Sequence, residues 1–183
     1  MTKLDLAPAV RRSVRNLKRK GAKDTSVRGR PAEPLKIFVS YCHKDEVLRL
    51  ELAKHLAPLE RTGLLRVWHD RRIDPGAEWE KEIASELESA DIVLLLVSAD
   101  FISSRYCYEA EMDRALHLHD EGSVVVIPVI LRSCVWNHAP FAKLQALPRD
   151  GKAARSWDDL DEALTNIAQG IKAIAEKRYA RRS

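Results

Sequence analysis

An uninterrupted aliphatic run, Ile92-Val-Leu-Leu-Leu-Val97, lies between Asp91 and Ser98 near the middle of the chain. The run is too short to cross a membrane, and it is typical of a strand that is fully buried. The segment that follows, Phe101 to Glu111, mixes serines, tyrosines, an arginine and a cysteine with two carboxylates. Because ligands of open α/β sheets bind beyond the carboxyl ends of the strands, this segment is the first candidate for a functional site.

The residues on either side alternate between strand-like and helix-like patterns. Strands are predicted at 36–40, 64–68, 91–98 and 123–131, with a short fifth near 152–155. Helices are predicted at 45–60 with Asp45 as its cap, from Trp79, at about 107–119, and from about Ser156 with a stripe of Leu160, Leu164, Ile167, Ile171 and Ile174. This alternation predicts an α/β fold, a flavodoxin-like doubly wound sheet of five parallel strands in the order 2-1-3-4-5.

Charge divides the chain into three parts. Residues 1–34 carry a net charge of +7 and residues 172–183 a net charge of +4, whereas the body between them carries −7. The predicted organisation is a basic arm and linker (1–34), one domain (35–175) and a basic tail (176–183). The arm has the pattern of a short basic amphipathic helix, which suits a membrane surface, nucleic acid or an acidic partner. A solvated tail and a transit peptide remain alternatives.

Cysteine and histidine usage argues against a structural metal or a disulfide framework. Cys42, Cys107 and Cys134 are far apart, and His117 and His119 point to different faces of a helix. We therefore predict no metal site. No stretch resembles a signal peptide or a membrane span, so we expect a soluble cytoplasmic protein.

Several familiar α/β chemistries lack their motifs. No GxGxxG follows the first strand, and neither GxxxxGK[ST] nor GxSxG occurs. A dinucleotide clamp, a phosphate-binding loop and a hydrolase nucleophile elbow are therefore unsupported. Strands one and three end in Ser40-Tyr41 and Val97-Ser98, without the acidic residues that a response regulator needs.

Three segments, in order, resemble the TIR (Toll/interleukin-1 receptor) domain, particularly its bacterial branch. They are KIFVSYCHKDE (36–46), the BB-loop-like WHDRRIDPGAEW (68–79) and DIVLLLVSADFISSRYCYEAEMDRAL (91–116). The resemblance covers about 35–175. It implies one of two functions: cleavage of NAD+ at the nicotinamide–ribose bond, often in defence against phage, or assembly as a non-catalytic adaptor.

For an enzyme, the resemblance implies NAD+ as the substrate and no further cofactor. The products are nicotinamide and ADP-ribose or a cyclised isomer. Activity in this family depends on self-association, with the BB loop of a neighbouring subunit completing the site. A sensor or activator that docks on residues 1–34 is the expected trigger.

The family's catalytic glutamate opens the helix after strand three. Glu111, followed by Met112 and then by Ala115-Leu116, matches that register better than Glu109 does. A carboxylate suits the chemistry because it stabilises the oxocarbenium-like state of glycosidic cleavage. The alternative is that both acids merely complement the helix dipole. We predict Glu111 as the catalytic residue, with Glu109 as its rival.

The same resemblance supplies candidates for substrate binding. Tyr41, His43 and Lys44 follow strand one, and Arg71 and Arg72 lie in the BB-like loop, where they suit ribose, adenine or phosphate; solvated turns are the competing interpretation. The remaining candidates are Trp79, Ser104, Tyr106 and Cys107. The spacing of Trp79 with Ile83 and Leu87 favours a core position over base stacking. Cys107 is also interpreted as a small apolar packing residue.

Overall fold

A computed structural model of the chain describes residues 33–104 and 111–182. Nearly all of the predicted basic arm therefore lies outside the described residues. Four strands and five helices are described: β1 (Leu35–Tyr41), α1 (Glu46–Arg61), β2 (Leu65–Trp68), α2 (Trp79–Glu88), β3 (Ile92–Val97), α3 (Ala99–Ser103), α4 (Met112–Asp120), β4 (Val125–Ile130) and α5 (Leu160–Ala180). Short 3-10 turns fill several of the connections.

The strands form one parallel sheet in the order β2-β1-β3-β4. This order confirms the prediction for the first four strands. Since β1 lies in the interior of the sheet, its carboxyl end lies beside the carboxyl ends of β2 and β3. Residues that follow these strands are thereby brought to one edge, although they are far apart in the sequence.

Helices cover both faces of the sheet, as a doubly wound fold requires. The side chains of β3 alternate: Ile92, Leu94 and Leu96 pack with α1 and α5, whereas Val93, Leu95 and Val97 pack with α2 and α4. The aliphatic run is buried on both faces, as predicted. The predicted stripe of α5 is also confirmed, because Leu164, Ile167 and Ile171 are fully buried.

The predicted fifth strand at 152–155 is wrong. That segment forms 3-10 turns at Arg149–Gly151 and Ala154–Ser156, and on the side of β4 away from β3 the described residues make only an isolated bridge, Val129 to Leu147. Leu147 donates to the carbonyl of Pro128 and accepts from the amide of Ile130. Pro128 has no N–H to offer on that side, and Pro148 follows Leu147 directly, so the pairing stops after one residue.

One helix start differs from the sequence expectation. The last helix begins at Leu160 rather than near Ser156, because the Asp159 carboxylate accepts from the amide of Asp161 at 2.7 Å and caps it there. The predicted start of the helix after strand three, near Cys107, lies outside the described residues. Within the described part of the chain, no helix is long and apolar enough to cross a membrane.

Candidate functional site

A cavity of about 240 Å³ lies where β1 ends, between α2, the loop that follows β2, and the residue that precedes α4. Its apolar wall comes from Phe38, Val39, Trp79 and Ile83. Its polar lining comes from Tyr41, Cys42, His43, Asp70, Ser104 and Glu111. The cavity thus combines an apolar wall with a few converging polar groups, which is the usual character of a small-molecule site.

Glu111 is the buried acid of this cavity. Only 8% of its surface is exposed, and the Ser40 hydroxyl donates a hydrogen bond of 2.5 Å to its Oε2. Burial raises the pKa of Glu111 to about 7, even though the hydrogen bond from Ser40 acts in the opposite direction; the nearby Asp70 carboxylate raises this pKa further. The carboxyl group therefore changes its charge near neutral pH.

The sheet geometry explains why Ser40 meets Glu111. Phe38, two residues before Ser40 in β1, packs on the α2 and α4 face, and alternation directs Ser40 to that same face. Met112, the first residue of α4, is buried against this face, which brings Glu111 to the end of β1. A serine in an otherwise apolar strand is the sequence signal that could have identified Ser40.

His43 and Asp70 form a pair across the cavity. His43 lies in a 3-10 turn after β1, Asp70 lies in a 3-10 turn after β2, and His43 Nε2 is 2.6 Å from Asp70 Oδ2. Farther along the loop that follows β2, a turn over 74–77 is closed by a hydrogen bond from the amide of Ala77 to the backbone carbonyl of Asp74. Gly76 supplies the positive φ that this turn requires. Asp70 was not among the sequence candidates.

Tyr41 is the polar residue next to this pair. Its hydroxyl donates to Glu46 Oε2 at 2.5 Å, and burial together with this hydrogen bond raises the pKa of the phenol above its ordinary value. Burial alone would raise the pKa of Glu46, but hydrogen bonds from Arg49 and Tyr41 outweigh it and lower that pKa to about 2. Arg71 contributes to the same effect from 3.8 Å. Arg71, which the sequence predicts as a substrate ligand, thus lies close to Glu46, an acidic residue of its own chain.

Lys44 and Arg72 are not among the residues that line the cavity. The Lys44 ammonium pairs with Asp100 at 2.7 Å, and Arg72 is an exposed residue of its loop. Asp45 stands at the start of α1 but does not cap it through its side chain. Its carboxylate accepts instead from Ser98 at 2.5 Å and from Arg132 at 2.7 Å.

Trp79 lines the cavity with 41% of its surface exposed, so its core interpretation is wrong. Ile83 and Leu87, the next members of the same stripe, are buried as predicted. Ser104 also lines the cavity. The candidates Tyr106, Cys107 and Glu109 lie outside the described residues.

Residues 37–168 match the sequence model of the TIR domain. The chain belongs to this family. A relative from Sinorhizobium fredii (strain NBRC 101917 / NGR234), the uncharacterized protein y4lF, is 50% identical over 139 residues, which are 76% of this chain and 43% of that protein. This TIR chain therefore spans less than half the length of that relative.

Two solved TIR structures are similar in fold. The TIR domain of the Toll-related receptor TRR-2 from Hydra magnipapillata is 22% identical, with a TM-score of 0.46, over 61% of this chain and 81% of its own. The TIR domains of the activated Roq1 resistosome, which directly recognizes the pathogen effector XopQ, are 21% identical, with a TM-score of 0.47, over 74% of this chain and 84% of their own.

Metal ligation is a separate question for this TIR domain. Within residues 33–104 and 111–182, no group of three or more His, Cys, Asp or Glu side chains is arranged to hold a metal ion. Cys42 and Cys134, the two cysteines in these ranges, are both free thiols.

Proposed function

We propose that this TIR domain cleaves NAD+ at the nicotinamide–ribose bond, with Glu111 as the catalytic residue. The observation that carries the proposal is a buried carboxyl group at the wall of a cavity, held by Ser40 and able to ionise near neutral pH. Cleavage develops positive charge on the ribose, and an adjacent carboxylate stabilises that charge. The nicotinamide leaves as a neutral base, so no general acid is needed.

The size and lining of the cavity support the same substrate. About 240 Å³ is less than the roughly 300–1,000 Å³ of sites that enclose a drug-sized ligand. A nicotinamide and its ribose fit this space, whereas the rest of a dinucleotide extends beyond it. Trp79 and Phe38 offer apolar surface to the nicotinamide ring, and Tyr41 and Ser104 offer hydroxyl groups to the sugar.

The proposal extends to the setting in which the domain acts. The products are nicotinamide and ADP-ribose or its cyclic isomer, made in the cytoplasm as part of a defence signal. TIR–TIR contacts activate the domain, and residues 1–34 receive the sensor or activator. Arg72, exposed on the loop after β2, is available to meet a neighbouring copy or the pyrophosphate.

An adaptor function is the second candidate, and exposed apolar side chains favour it. Val47 and Leu50 of α1 and Val135 of the loop after β4 are all exposed to solvent. Val47 and Leu50 are three residues apart on one helix, so together they can offer an apolar surface to a partner. An adaptor would assemble through surfaces of this kind and leave NAD+ intact.

Nicotinamide release distinguishes the two functions. We expect the full chain at high concentration to release nicotinamide from NAD+, while Glu111→Ala releases none above background. Glu109→Ala is the matched control and should retain turnover. If the full chain self-associates in light scattering and yet leaves NAD+ intact, the adaptor is the correct function. If Glu111→Ala and the unsubstituted protein turn over NAD+ at the same rate, Glu111 is not the catalytic residue.

In Ser40→Ala, the acidic limb of the plot of kcat/KM against pH is expected to move to higher pH. The Ser40 hydroxyl donates to the ionised carboxylate and so opposes the rise in the pKa of Glu111. Losing a hydrogen bond to a charged group raises that pKa by about one unit. Ser103→Ala, on the exposed side of α3, should leave the limb unchanged. Coincident limbs in Ser40→Ala and the parent protein would contradict this role.

A further inference from the structure

His43 and Asp70 line the same cavity as Glu111. The imidazole is more than half exposed, with 57% of the side chain accessible, and the Asp70 side chain is 15% accessible. A pair this exposed contributes little to folding stability. Its geometry nevertheless joins two separate loops at the cavity, which calls for a functional explanation.

The pairing defines which nitrogen can accept a proton. Asp70 Oδ2 lies 2.6 Å from Nε2, so the carboxylate accepts a hydrogen bond from Nε2–H and the lone pair of the neutral imidazole is on Nδ1. Nδ1 makes no hydrogen bond to any residue in the described ranges. An aspartate that holds an imidazole in one tautomer, and stabilises the imidazolium once it forms, is the arrangement of a general base.

We propose that His43 is a second catalytic residue of this site, a base for the attacking water, and that Asp70 is its positioning residue. The inference rests on the proposed cleavage of NAD+. Glu111 is unsuited to be this base while it stabilises the ribose, because taking up the water proton would remove the negative charge that the cationic ribose requires. Two groups therefore divide two tasks within one cavity.

The step balances with water as the only co-reactant. The C1′–N bond breaks, and its electron pair leaves with the nicotinamide nitrogen. A water oxygen then forms the C1′–O bond, and one water proton passes to Nδ1 of His43, while the Nε2 hydrogen stays on the imidazole and keeps its hydrogen bond to the Asp70 carboxylate. The exposed imidazolium returns its proton to solvent, and ADP-ribose and nicotinamide are the products.

Competition between water and added nicotinamide for the ribosyl group tests whether Glu111 and His43 have these two separate tasks. Recapture of the ribosyl group by labelled nicotinamide regenerates NAD+ and needs no base, whereas hydrolysis does. With NAD+ and excess deuterated nicotinamide, we expect His43→Gln to lower the ratio of ADP-ribose formed to label incorporated at least tenfold. Label exchange itself should persist. Asp70→Asn should shift the ratio in the same direction, and His117→Gln, an exposed histidine of α4, should not.

Chemical rescue provides an independent measurement. Free imidazole should restore hydrolysis to His43→Ala without increasing label exchange. An unchanged ratio in His43→Gln would overturn the proposal, because a histidine that only holds the loop lowers hydrolysis and exchange together. A wild-type product that is entirely the cyclic isomer would also overturn it. Failure of the proposed function looks different, since the wild type would then release no nicotinamide.

Discussion

Glu111→Gln is expected to stabilise the protein by about 3 kcal/mol at pH 8. In the parent protein, ionising this buried carboxyl at that pH costs free energy that the unfolded chain does not spend. Glutamine has nearly the same shape and stays neutral, and its carbonyl oxygen can accept the hydrogen bond from Ser40. The same substitution is expected to abolish NAD+ cleavage.

The gain in stability should depend on pH with a definite sign. The folded protein keeps a proton on Glu111 until about pH 7, whereas the ordinary value for the carboxyl is 4.5. Between these values the folded state binds more protons, so the stability of the parent protein falls as pH rises. At pH 4 both states are protonated, and the variant and the parent should be nearly equal in free energy of unfolding.

Urea unfolding of both proteins from pH 4 to pH 8.5 measures this difference. Asp113→Asn, at an exposed acidic position two residues farther along, is the control and should show no such pH-dependent gain. Parallel stability curves for Glu111→Gln and the parent would contradict the raised pKa. A gain in stability together with a loss of turnover is the expected trade-off of a residue kept for chemistry.

The aliphatic run made the fold predictable. A strand buried on both faces requires helices on both sides, and the alternation of strands and helices fixes parallel connections. The order β2-β1-β3-β4 follows, and it brings Glu111 to the carboxyl end of the sheet, as expected from its position after strand three. The segment at 152–155 does not form a strand because Lys152-Ala-Ala-Arg155 has no apolar alternation and prolines stand next to both residues of the isolated bridge.

The site itself was only partly predictable. Helical periodicity identifies the face on which Trp79 lies, but it does not reveal that the first turn of α2 extends past the core to the cavity. The position of Lys44 after β1 predicts a substrate ligand. Its partner, Asp100, lies 56 residues away, and no local pattern encodes such a pair. Asp70 was missed for the same reason, since only the fold places it against His43.

The second large effect concerns Asp45, a buried carboxylate that differs from Glu111 in having a cationic partner. Asp45 is 2% exposed, and Arg132 donates to it from Nε at 2.7 Å. The Nη2 of Arg132 also reaches Asp100, which ties the end of β4 to α3. Arg132→Met leaves the Asp45 carboxylate buried, and among the described residues only the Ser98 hydroxyl then remains as its side-chain donor.

Arg132→Met is therefore expected to lower the free energy of unfolding by about 3 kcal/mol, at the lower end of the range because Arg132 is one-third exposed. Adding Asp45→Asn should recover most of this loss, since the charge is then gone and the amide still accepts from Ser98. Lys44→Met, which removes the exposed partner of Asp100, should cause no measurable change. If the changes in the free energy of unfolding of Arg132→Met and Asp45→Asn simply add in the double mutant, Arg132 and Asp45 do not act as one unit.

Arg132→Met should also affect the proposed active site. The 3-10 turn His43–Asp45 carries His43 at one end and Asp45 at the other, and the Asp45 amide donates to the carbonyl of Cys42 at 2.7 Å. Without Arg132, we expect this amide to exchange its hydrogen faster, while the amides of α5 exchange at the rate set by global unfolding. Unchanged protection at Asp45 would mean that the turn bearing His43 is held by the sheet alone.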